Sequence, residues 1–320
     1  MKTIRLALAA GLIAVSGLAM AAFPTKPVRL IVPFPAGGAA DLMARGMAQR
    51  LGTELGQQII IDNRGGAGGA PAAEAVAKAA PDGYTLLFAT MGTQVINPAL
   101  YPKLRYDPLR DFAPISLTHI TPRVLVVGPS MSVKNIAELI VLAKKKPGVL
   151  TYGSAGSGSS SHLSGALFEA LAGVDLLHIP YRGSSPLLVD VLAGRVDMTF
   201  DSYTVYEEHI KVGKVRALGV TSKGRMDALP QVPTIAESGL PGYDVSNWLG
   251  VLAPAGTPKD LLAILHAALG RAMADPVLKQ QLNSLGIEPV FGTPEEFGAL
   301  IRAELPKWAA IVKKSGATAD

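Results

Sequence analysis

The sequence predicts an α/β protein of two domains, each a mainly parallel sheet flanked by helices. A chain of 320 residues is long for a single core and suggests about two domains. Short apolar runs alternate with helical patterns, which is typical of parallel sheets. Extended passages at 115–127 and 242–253 are predicted to cross between the domains. We therefore assign residues 23–123 and 250–320 to the first domain and 124–249 to the second.

The first 22 residues have the three parts of a secretory signal peptide. Lys2 and Arg5 supply a positive n-region, residues 6–18 are apolar, and residues 19–21 form an A-x-A cleavage site. Cleavage is expected after Ala21 or Ala22, so the mature chain is expected to be exported. The sequence has no cysteine, which excludes a lipid-bearing cysteine, disulfides and thiolate chemistry. No later run of about 18 apolar residues is present to span a membrane.

Composition favours a folded protein and argues against nucleic-acid binding. A hydrophobic content of 49% is too high for disorder. Removing Lys2 and Arg5 lowers the formal charge from +5 to +3, and the remaining basic residues are scattered. The one tight basic run, 144–146, is interpreted as the solvated end of a helix. The slight positive balance suits an acidic ligand without requiring one.

The first domain is predicted to begin with a strand, a glycine-containing loop and a helix. The run 28–32 is almost continuously apolar, as expected for a strand covered on both faces. Gly37 and Gly38 come just before the helix start, where uncovered amides can bind an anion. Asp41 falls in the first helical turn, and its simpler interpretation is a helix cap.

The rest of the first domain follows the same alternation. Strands are predicted at 59–61 and 84–89, with a helix at 71–80 between them, and two amphipathic helices at 258–274 and 294–313 close the domain. Ligands of parallel sheets bind beyond the carboxyl ends of the strands. This rule places Thr90, Gly92 and Thr93 in the binding region.

The second domain repeats this plan around a loop of Gly, Ser and Ala at 153–161. A strand at 150–152 enters the loop and a helix with an apolar face leaves it, so the loop can present amides and hydroxyls to a carboxylate or phosphate. The alternative is a flexible turn before a helix capped by one of serines 159–161. No lysine sits where a P-loop needs one, and G-x-G-x-x-G fails at Ser161, which disfavours nucleotides.

The remaining elements of the second domain are predicted from the same signals. We expect helices at 136–145 and 186–193, with Ser185 as the N-cap of the latter, and strands at 176–179, 196–200 and 216–220. Asp201 then lies at the carboxyl end of the strand at 196–200. It either faces a ligand or caps the strand end, and the sequence leaves both interpretations open.

The serines beside His162 also suggest a serine hydrolase, which the local pattern disfavours. A nucleophile elbow requires G-x-S-x-G, and no serine here has glycine at both positions. Adjacent Ser and His at a helix start point in different directions, so they do not form a nucleophile–base pair. His162 is therefore interpreted as a capping or packing residue. The other histidines are dispersed without a metal-binding spacing, so no metal site is expected.

Several colinear segments together resemble one family, the extracytoplasmic solute receptors of the tripartite tricarboxylate transporters, also called the Bug family. The resemblance extends from Phe23 to the C-terminus. The segments are PFPAGGAAD (33–41), NRGGAGG (63–69), APDGYTLL (80–87), INPALYPKLRYDPLRDFAPI (96–115), YGSAGSGSSSHLSGALF (152–168), HIPYRGSSPLLVDVLAGRVDMTFD (178–201), LPQVPTIAESGLPGY (229–243) and LAPAGTP (252–258).

The resemblance implies a type II periplasmic binding protein, in which two α/β domains joined by two crossing strands close over a small carboxylate. It implies a location in the periplasm, delivery of the ligand to a two-component membrane permease, a monomer, and neither cofactor nor catalysis. Two loops would grip the carboxylate like a pincer, through backbone amides and waters. The implied ligand-binding residues are Phe34, Ala36, Gly37, Gly38, Ala39, Thr90, Gly92, Thr93, Ser154, Gly156, Ser157, Ser159, Ser160 and Asp201.

Two departures from the family pattern bear on the ligand. Ala39 and Ala40 stand where many relatives carry Ser or Thr, and Ser159 replaces a frequent Thr. Both changes keep the backbone donors, so carboxylate capture is still expected. Dicarboxylates, tricarboxylates, aromatic acids and acidic amino acids all remain open. The alternative functions are a secreted serine hydrolase using residues 159–162 and a receptor that signals to a sensor.

Overall fold

The computed structural model describes residues 23–318, so the signal peptide expected at residues 1–22 lies outside the described residues. The strands are, in chain order, β1 (Val28–Val32), β2 (Ile59–Asn63), β3 (Thr85–Thr90), β4 (Phe112–Thr121), β5 (Arg123–Val127), β6 (Thr151–Ser154), β7 (Leu177–Pro180), β8 (Met198–Ser202), β9 (Arg216–Val220), β10 (Asn247–Pro254) and β11 (Glu288–Pro289).

The α-helices alternate with these strands along most of the chain. They are α1 (Ala39–Leu55), α2 (Ala70–Ala77), α3 (Asn97–Leu100), α4 (Ile136–Lys145), α5 (Ser160–Ala172), α6 (Ser184–Leu192), α7 (Tyr203–Lys211), α8 (Lys259–Ala274), α9 (Pro276–Ser284) and α10 (Pro294–Ser315). Within 23–318 no single helix is long and apolar enough to cross a membrane, although α8 and α9, bent by 66°, reach that length together.

The strands form two mixed sheets, and the chain crosses between them twice. The first sheet has the order β11-β4-β10-β3-β1-β2, and the second has the order β7-β6-β8-β5-β9. β1 runs parallel to β2 and β3, and β6 runs parallel to β7 and β8. The strands next to the crossings, β10 and β5, run antiparallel to their neighbours. The chain leaves the first sheet at Pro122 and returns to it at β10.

The carboxyl-terminal helix α10 packs against both halves of the molecule. A capping box between Thr293 and Glu296 begins it, and Trp308 on its buried face is fully covered. The helix contacts β4 and α3 on one side and α5 on the other. The indole Nε1 of Trp248, on β10, donates to Glu304 Oε2 at 2.7 Å. One apolar cluster therefore continues from the first sheet into the second.

Most predicted elements are present, and the differences lie at helix starts and in short elements. The prediction of Ser185 as an N-cap is wrong, because α6 begins at Ser184 and Gly183 occupies the N-cap position. Three short helices, α3, α7 and α9, were not predicted from the sequence. A single π-helical turn at Gly92–Ile96 also went unpredicted, and it follows the carboxyl end of β3.

Candidate functional site

A cleft of about 1140 Å³ lies between the two sheets, where the loops that begin α1 and α5 meet. Thr93 and Ser154 are the predicted site residues that do not line it. The predicted residues that do line it are Phe34, Ala36, Gly37, Gly38, Ala39, Thr90, Gly92, Gly156, Ser157, Ser159, Ser160 and Asp201.

Buried Asp41 fixes the shape of the first loop, residues 33–38. Its Oδ2 accepts from the Gly37 amide at 2.9 Å and from Arg45 Nε at 2.8 Å, and its Oδ1 accepts from Asn63 Nδ2 at 2.9 Å. The hydrogen bond from Arg45 is the main reason that the pKa of Asp41 is lowered to about 2. Asp41 is therefore an ionised part of the loop framework, and the Gly37 amide is not available to a ligand.

The amides that remain free in the first loop are those at the start of α1. Ala39 and Ala40 are the first two helical residues, and their N–H groups make no hydrogen bond to any residue of 23–318. Asn63, which does not line the cleft, supports the loop, because its Nδ2 also donates to the Phe34 carbonyl at 3.0 Å. A Cβ at Gly65 would lie 2.8 Å from Pro35 Cδ, so only glycine fits under the loop.

Two stacked histidines under the second loop, residues 154–159, hold it in place. The rings of His162 and His178 lie 3.8 Å apart and are parallel. His162 Nδ1 accepts from the Gly158 amide at 3.0 Å, and His178 Nε2 lies 2.7 Å from Ser154 Oγ. Burial lowers both pKa values, that of His178 to about 4, so both rings are neutral at pH 7.

Hydroxyls of the second loop mostly bond within the loop. Ser154 is fully buried, and its Oγ contacts both the amide and the carbonyl of Gly156. Ser159 caps α5 by accepting from the His162 amide at 3.3 Å, and it donates to the Gly156 carbonyl at 2.6 Å. These two hydroxyls therefore shape the loop through hydrogen bonds to its backbone and to the start of α5.

The free donors of the second loop lie at its tip and at the start of α5. The amides of Ser157, Ser160 and Ser161 make no hydrogen bond within 23–318. Ser160 Oγ accepts from Arg123 Nη2, which leaves its own O–H proton free to donate into the cleft. The beginnings of α1 and α5 therefore both present unpaired donors to the same cleft.

Sequence reasoning missed Arg123, which lies at the back of the cleft. Its Nη1 donates to Asp201 Oδ1 at 3.0 Å; the Arg123 side chain is 17% exposed and that of Asp201 is 1% exposed. Arg123 Nε and Asp201 Oδ2 are buried and have no hydrogen-bond partner among the described residues. Burial lowers the pKa of Arg123, and the carboxylate of Asp201 opposes this shift. The sequence feature that could have identified Arg123 is its position as a charged residue at the start of the apolar run RVLVV (123–127).

Thr90 and Thr93 bond to each other at the end of β3. The Thr93 amide donates to Thr90 Oγ1 and the Thr90 amide donates to Thr93 Oγ1, both at 3.1 Å. Thr93 is fully buried, whereas Thr90 and Gly92 reach the cleft surface. Thr93 therefore supports the cleft wall without contacting its interior.

The histidines near the second loop are not arranged for serine hydrolysis. His162 uses Nδ1 to accept from Gly158, so its ring is not directed at Ser159. Ser154 and His178 are within hydrogen-bond distance, but that hydroxyl has no exposed surface from which to attack a substrate. Among residues 23–318, no group of three His, Cys, Asp or Glu side chains could hold a metal ion.

Comparison with known proteins identifies close relatives of this chain. Residues 43–317 match the family model described as the tripartite tricarboxylate transporter family receptor. The UPF0065 protein in the tcbD-tcbE intergenic region of Pseudomonas sp. strain P51 is 44% identical over 292 residues, which cover 91% of this chain and 87% of that protein.

Solved structures resemble the whole cleft-bearing fold. The structure of Rpa4515 from R. palustris with adipate is 38% identical, with a TM-score of 0.77, and the match covers 92% of this chain and 99% of that one. The periplasmic binding protein BugD is 37% identical with a TM-score of 0.74, again over 92% and 99% of the two chains. These likenesses confirm the predicted fold class, a two-domain α/β binding protein.

Proposed function

The chain belongs to the tripartite tricarboxylate transporter receptor family, and we propose that it is a periplasmic receptor that captures a small carboxylate in this cleft and delivers it to a membrane permease. The observation that carries the proposal is the pair of helix starts, α1 and α5, that present unpaired amides to the cleft from opposite sides. The adipate in a relative's structure supports the choice of a carboxylate.

In this proposal the carboxylate bridges the two loops. The amides of Ala39 and Ala40 donate to it from the first domain, and those of Ser160 and Ser161 donate from the second. The partial positive charge of both helix N-termini favours an anion at this point. The Ser160 hydroxyl, polarised by the guanidinium of Arg123, adds a further donor.

In this proposal binding and release leave the ligand unchanged, because His162 accepts from the Gly158 amide and His178 contacts the buried Ser154, so neither ring is placed to activate a hydroxyl that lines the cleft. The loops are held in shape before the ligand arrives, by Asp41 under the first and by His162 and His178 under the second. Preorganised donors lower the cost of binding, since few groups must be ordered when the ligand enters.

A thermal-shift screen of small carboxylates tests this function. A ligand present at 100 times its Kd stabilises the folded chain by about 2.7 kcal/mol, which raises the Tm measurably. Matched primary amides of the same acids serve as controls and should have no effect. If no carboxylate shifts the Tm, or if the amides shift it equally, the proposed capture is wrong.

Delivery to a permease is tested separately in the producing cell. Deleting the gene for this chain should abolish uptake of the carboxylate found in the screen. Unchanged uptake together with altered gene expression would instead favour a receptor that signals to a sensor.

A further inference from the structure

We propose that α10 is a third connection between the two domains, that its residues after Pro306 move with the second domain, and that the helix bends at Pro306 when the cleft opens or closes. The inference goes beyond ligand capture, because it concerns the motion of the domains whatever the ligand is. It assigns the second half of α10 to the second domain, whereas the sequence pattern places all of residues 250–320 in the first.

The first half of α10 is fixed to the first sheet. Phe297 packs so closely against β10 that a Cβ at Gly250 would lie 2.5 Å from its ring. Glu304 Oε2 accepts from the indole Nε1 of Trp248, on the same strand, at 2.7 Å. Phe297 and Glu304 are both buried. Because these buried contacts are made to β10, this half of the helix is part of the first domain.

The second half of α10 begins with an anchor on the other side of the domain crossing. Lys307 Nζ donates to the Asp244 carbonyl at 2.6 Å. The next residue, Val245, donates its amide to the carbonyl of Thr221, directly after β9, at 2.8 Å. Asp244 therefore still lies with the second sheet, and Lys307 ties α10 to it.

Beyond Lys307 the helix packs against α5 of the second domain. Ile311 and Val312 are buried in the apolar cluster that α5 also joins. Burial raises the pKa of Glu169 on α5, and Lys314 opposes this shift, which places the Lys314 ammonium near that helix. Two turns of α10 thus face the second domain.

Pro306 lies between these two sets of contacts. Proline has no N–H group, so residue 306 cannot donate to the carbonyl of Arg302, four residues earlier, as other helical residues do. Proline is accordingly a common site of helix bending. Pro306 is exposed, so its ring is not needed to fill the core. The helix is weakest where its contacts change from one domain to the other.

This weak point coincides with the place where the chain itself crosses. Between Asp244 and Trp248 the chain passes from the second sheet to the first. The contacts of α10 make the same change within three residues, from Glu304 on Trp248 to Lys307 on Asp244. A bend at Pro306 would therefore let α10 follow a rotation about the crossing strands without losing either set of contacts.

Distances between pairs of spin labels test which domain each half of α10 moves with. The chain has no cysteine, so labels attach only to introduced ones. Ala303→Cys and Lys313→Cys label the two halves of α10, Gln49→Cys on α1 marks the first domain, and Val189→Cys on α6 marks the second. All four residues are exposed. Each α10 label is paired with each domain label on the full mature chain, with and without adipate as the probe.

Binding of adipate should leave two distances unchanged, from Gln49 to Ala303 and from Val189 to Lys313, and should alter the two crossed distances. Lys313 lies about 10 Å along the helix from Pro306, so a rotation of about 20° displaces it by roughly 3–4 Å. A constant distance from Gln49 to Lys313, with a changed distance from Val189 to Lys313, would show that all of α10 moves with the first domain and would overturn the proposal. Four constant distances in a chain whose Tm adipate raises would also overturn it.

Substitutions of Pro306 test the bend without any ligand. Pro306→Ala restores the missing N–H donor and stiffens the helix, whereas Pro306→Gly restores the donor but keeps the backbone flexible. In the ligand-free chain, the distribution of distances from Gln49 to Lys313 should be at least about 1.5-fold narrower in Pro306→Ala than in the wild type. Pro306→Gly should remain as broad as the wild type. Equal widths in the three chains would overturn the bend.

Failure of this inference is distinguishable from failure of the proposed function. If adipate does not bind, the acid found in the thermal-shift screen replaces it. If no carboxylate shifts the Tm, ligand capture is wrong, and the ligand-free chain still decides the role of α10. There the distances from Gln49 to Lys313 should be more broadly distributed than those from Gln49 to Ala303, and equal breadth would contradict the proposal. Circular dichroism establishes that each variant is folded.

Discussion

Ala39→Pro separates the stability of the first loop from its ability to bind a carboxylate. Ala39 is the first residue of α1, a position where proline is well tolerated because its φ suits the helix start. The residue before a proline must be extended, and Gly38 already has φ −79° and ψ 169°. The substitution therefore keeps the backbone and removes one N–H group that faces the cleft.

The expected effects on stability and affinity have opposite signs. A proline at a compatible position stabilises a protein by about 0.4–1 kcal/mol, because it restricts the unfolded chain. Losing one hydrogen bond to a charged carboxylate costs about 1.5–3 kcal/mol, which corresponds to roughly a ten- to hundredfold loss of affinity. Urea unfolding measures the first effect, and calorimetry with the tightest carboxylate measures the second.

Ala39→Ser is the matched control, since it changes the side chain and keeps the amide. It should bind within about threefold of the wild type, because one exposed hydroxyl at this position replaces no donor that the proposal uses. A variant Ala39→Pro that is folded and binds with wild-type affinity would refute the assignment of this amide to the ligand.

Three further predictions follow from the hydrogen bonds and pKa values of the site. Ser160→Ala should weaken carboxylate binding about tenfold in calorimetry. Ser154→Ala should bind the carboxylate nearly as the wild type does but lose about 1–3 kcal/mol of stability, because His178 loses its hydrogen-bond partner. The reverse pattern would contradict the placement of these hydroxyls. Burial lowers the pKa of His119 to about 3, whereas an unfolded histidine has a pKa of about 6.5, so this residue alone should remove about 1.4 kcal/mol of stability per pH unit as the pH falls below 6. His162 and His178, whose pKa values burial also lowers, add to the slope, so His119→Leu should reduce it by about 1.4 kcal/mol per pH unit without abolishing it in unfolding curves at pH 4 to 7. Because the carboxylate is proposed to bridge both domains, small-angle scattering should give a smaller radius of gyration with ligand than without, and an unchanged value would argue for a rigid cleft.

Local patterns in the sequence were sufficient to place much of the fold. The strands Val28–Val32 and Arg216–Val220 and the helix Ile136–Lys145 have the bounds that their apolar periodicity predicts. Glycine and serine before a helix start also marked the two loops as candidate anion sites, and the family resemblance implied that they meet. Such signals are local, because periodicity and capping depend on residues a few positions apart.

The features that the sequence did not reveal depend on contacts between distant residues. Arg123 reaches Asp201 because β5 and β8 pair antiparallel with Val124 opposite Asp201, a register that no local pattern encodes. Ser154 was predicted to face the ligand, and its side chain lies inward because His178, on the neighbouring strand, is its partner. The sequence suggested that the Gly37 amide is free to bind a ligand. In the folded chain this amide donates to the carboxylate of Asp41 instead. Which donors stay free is decided by these tertiary partners.

A crystal structure of the mature chain with its tightest carboxylate tests the central claim most directly. We predict that the carboxylate oxygens lie about 2.7–3.1 Å from amide nitrogens of both helix starts, Ala39 or Ala40 on α1 and Ser160 or Ser161 on α5. A carboxylate held by one domain alone, or bound away from both helix starts, would contradict the account.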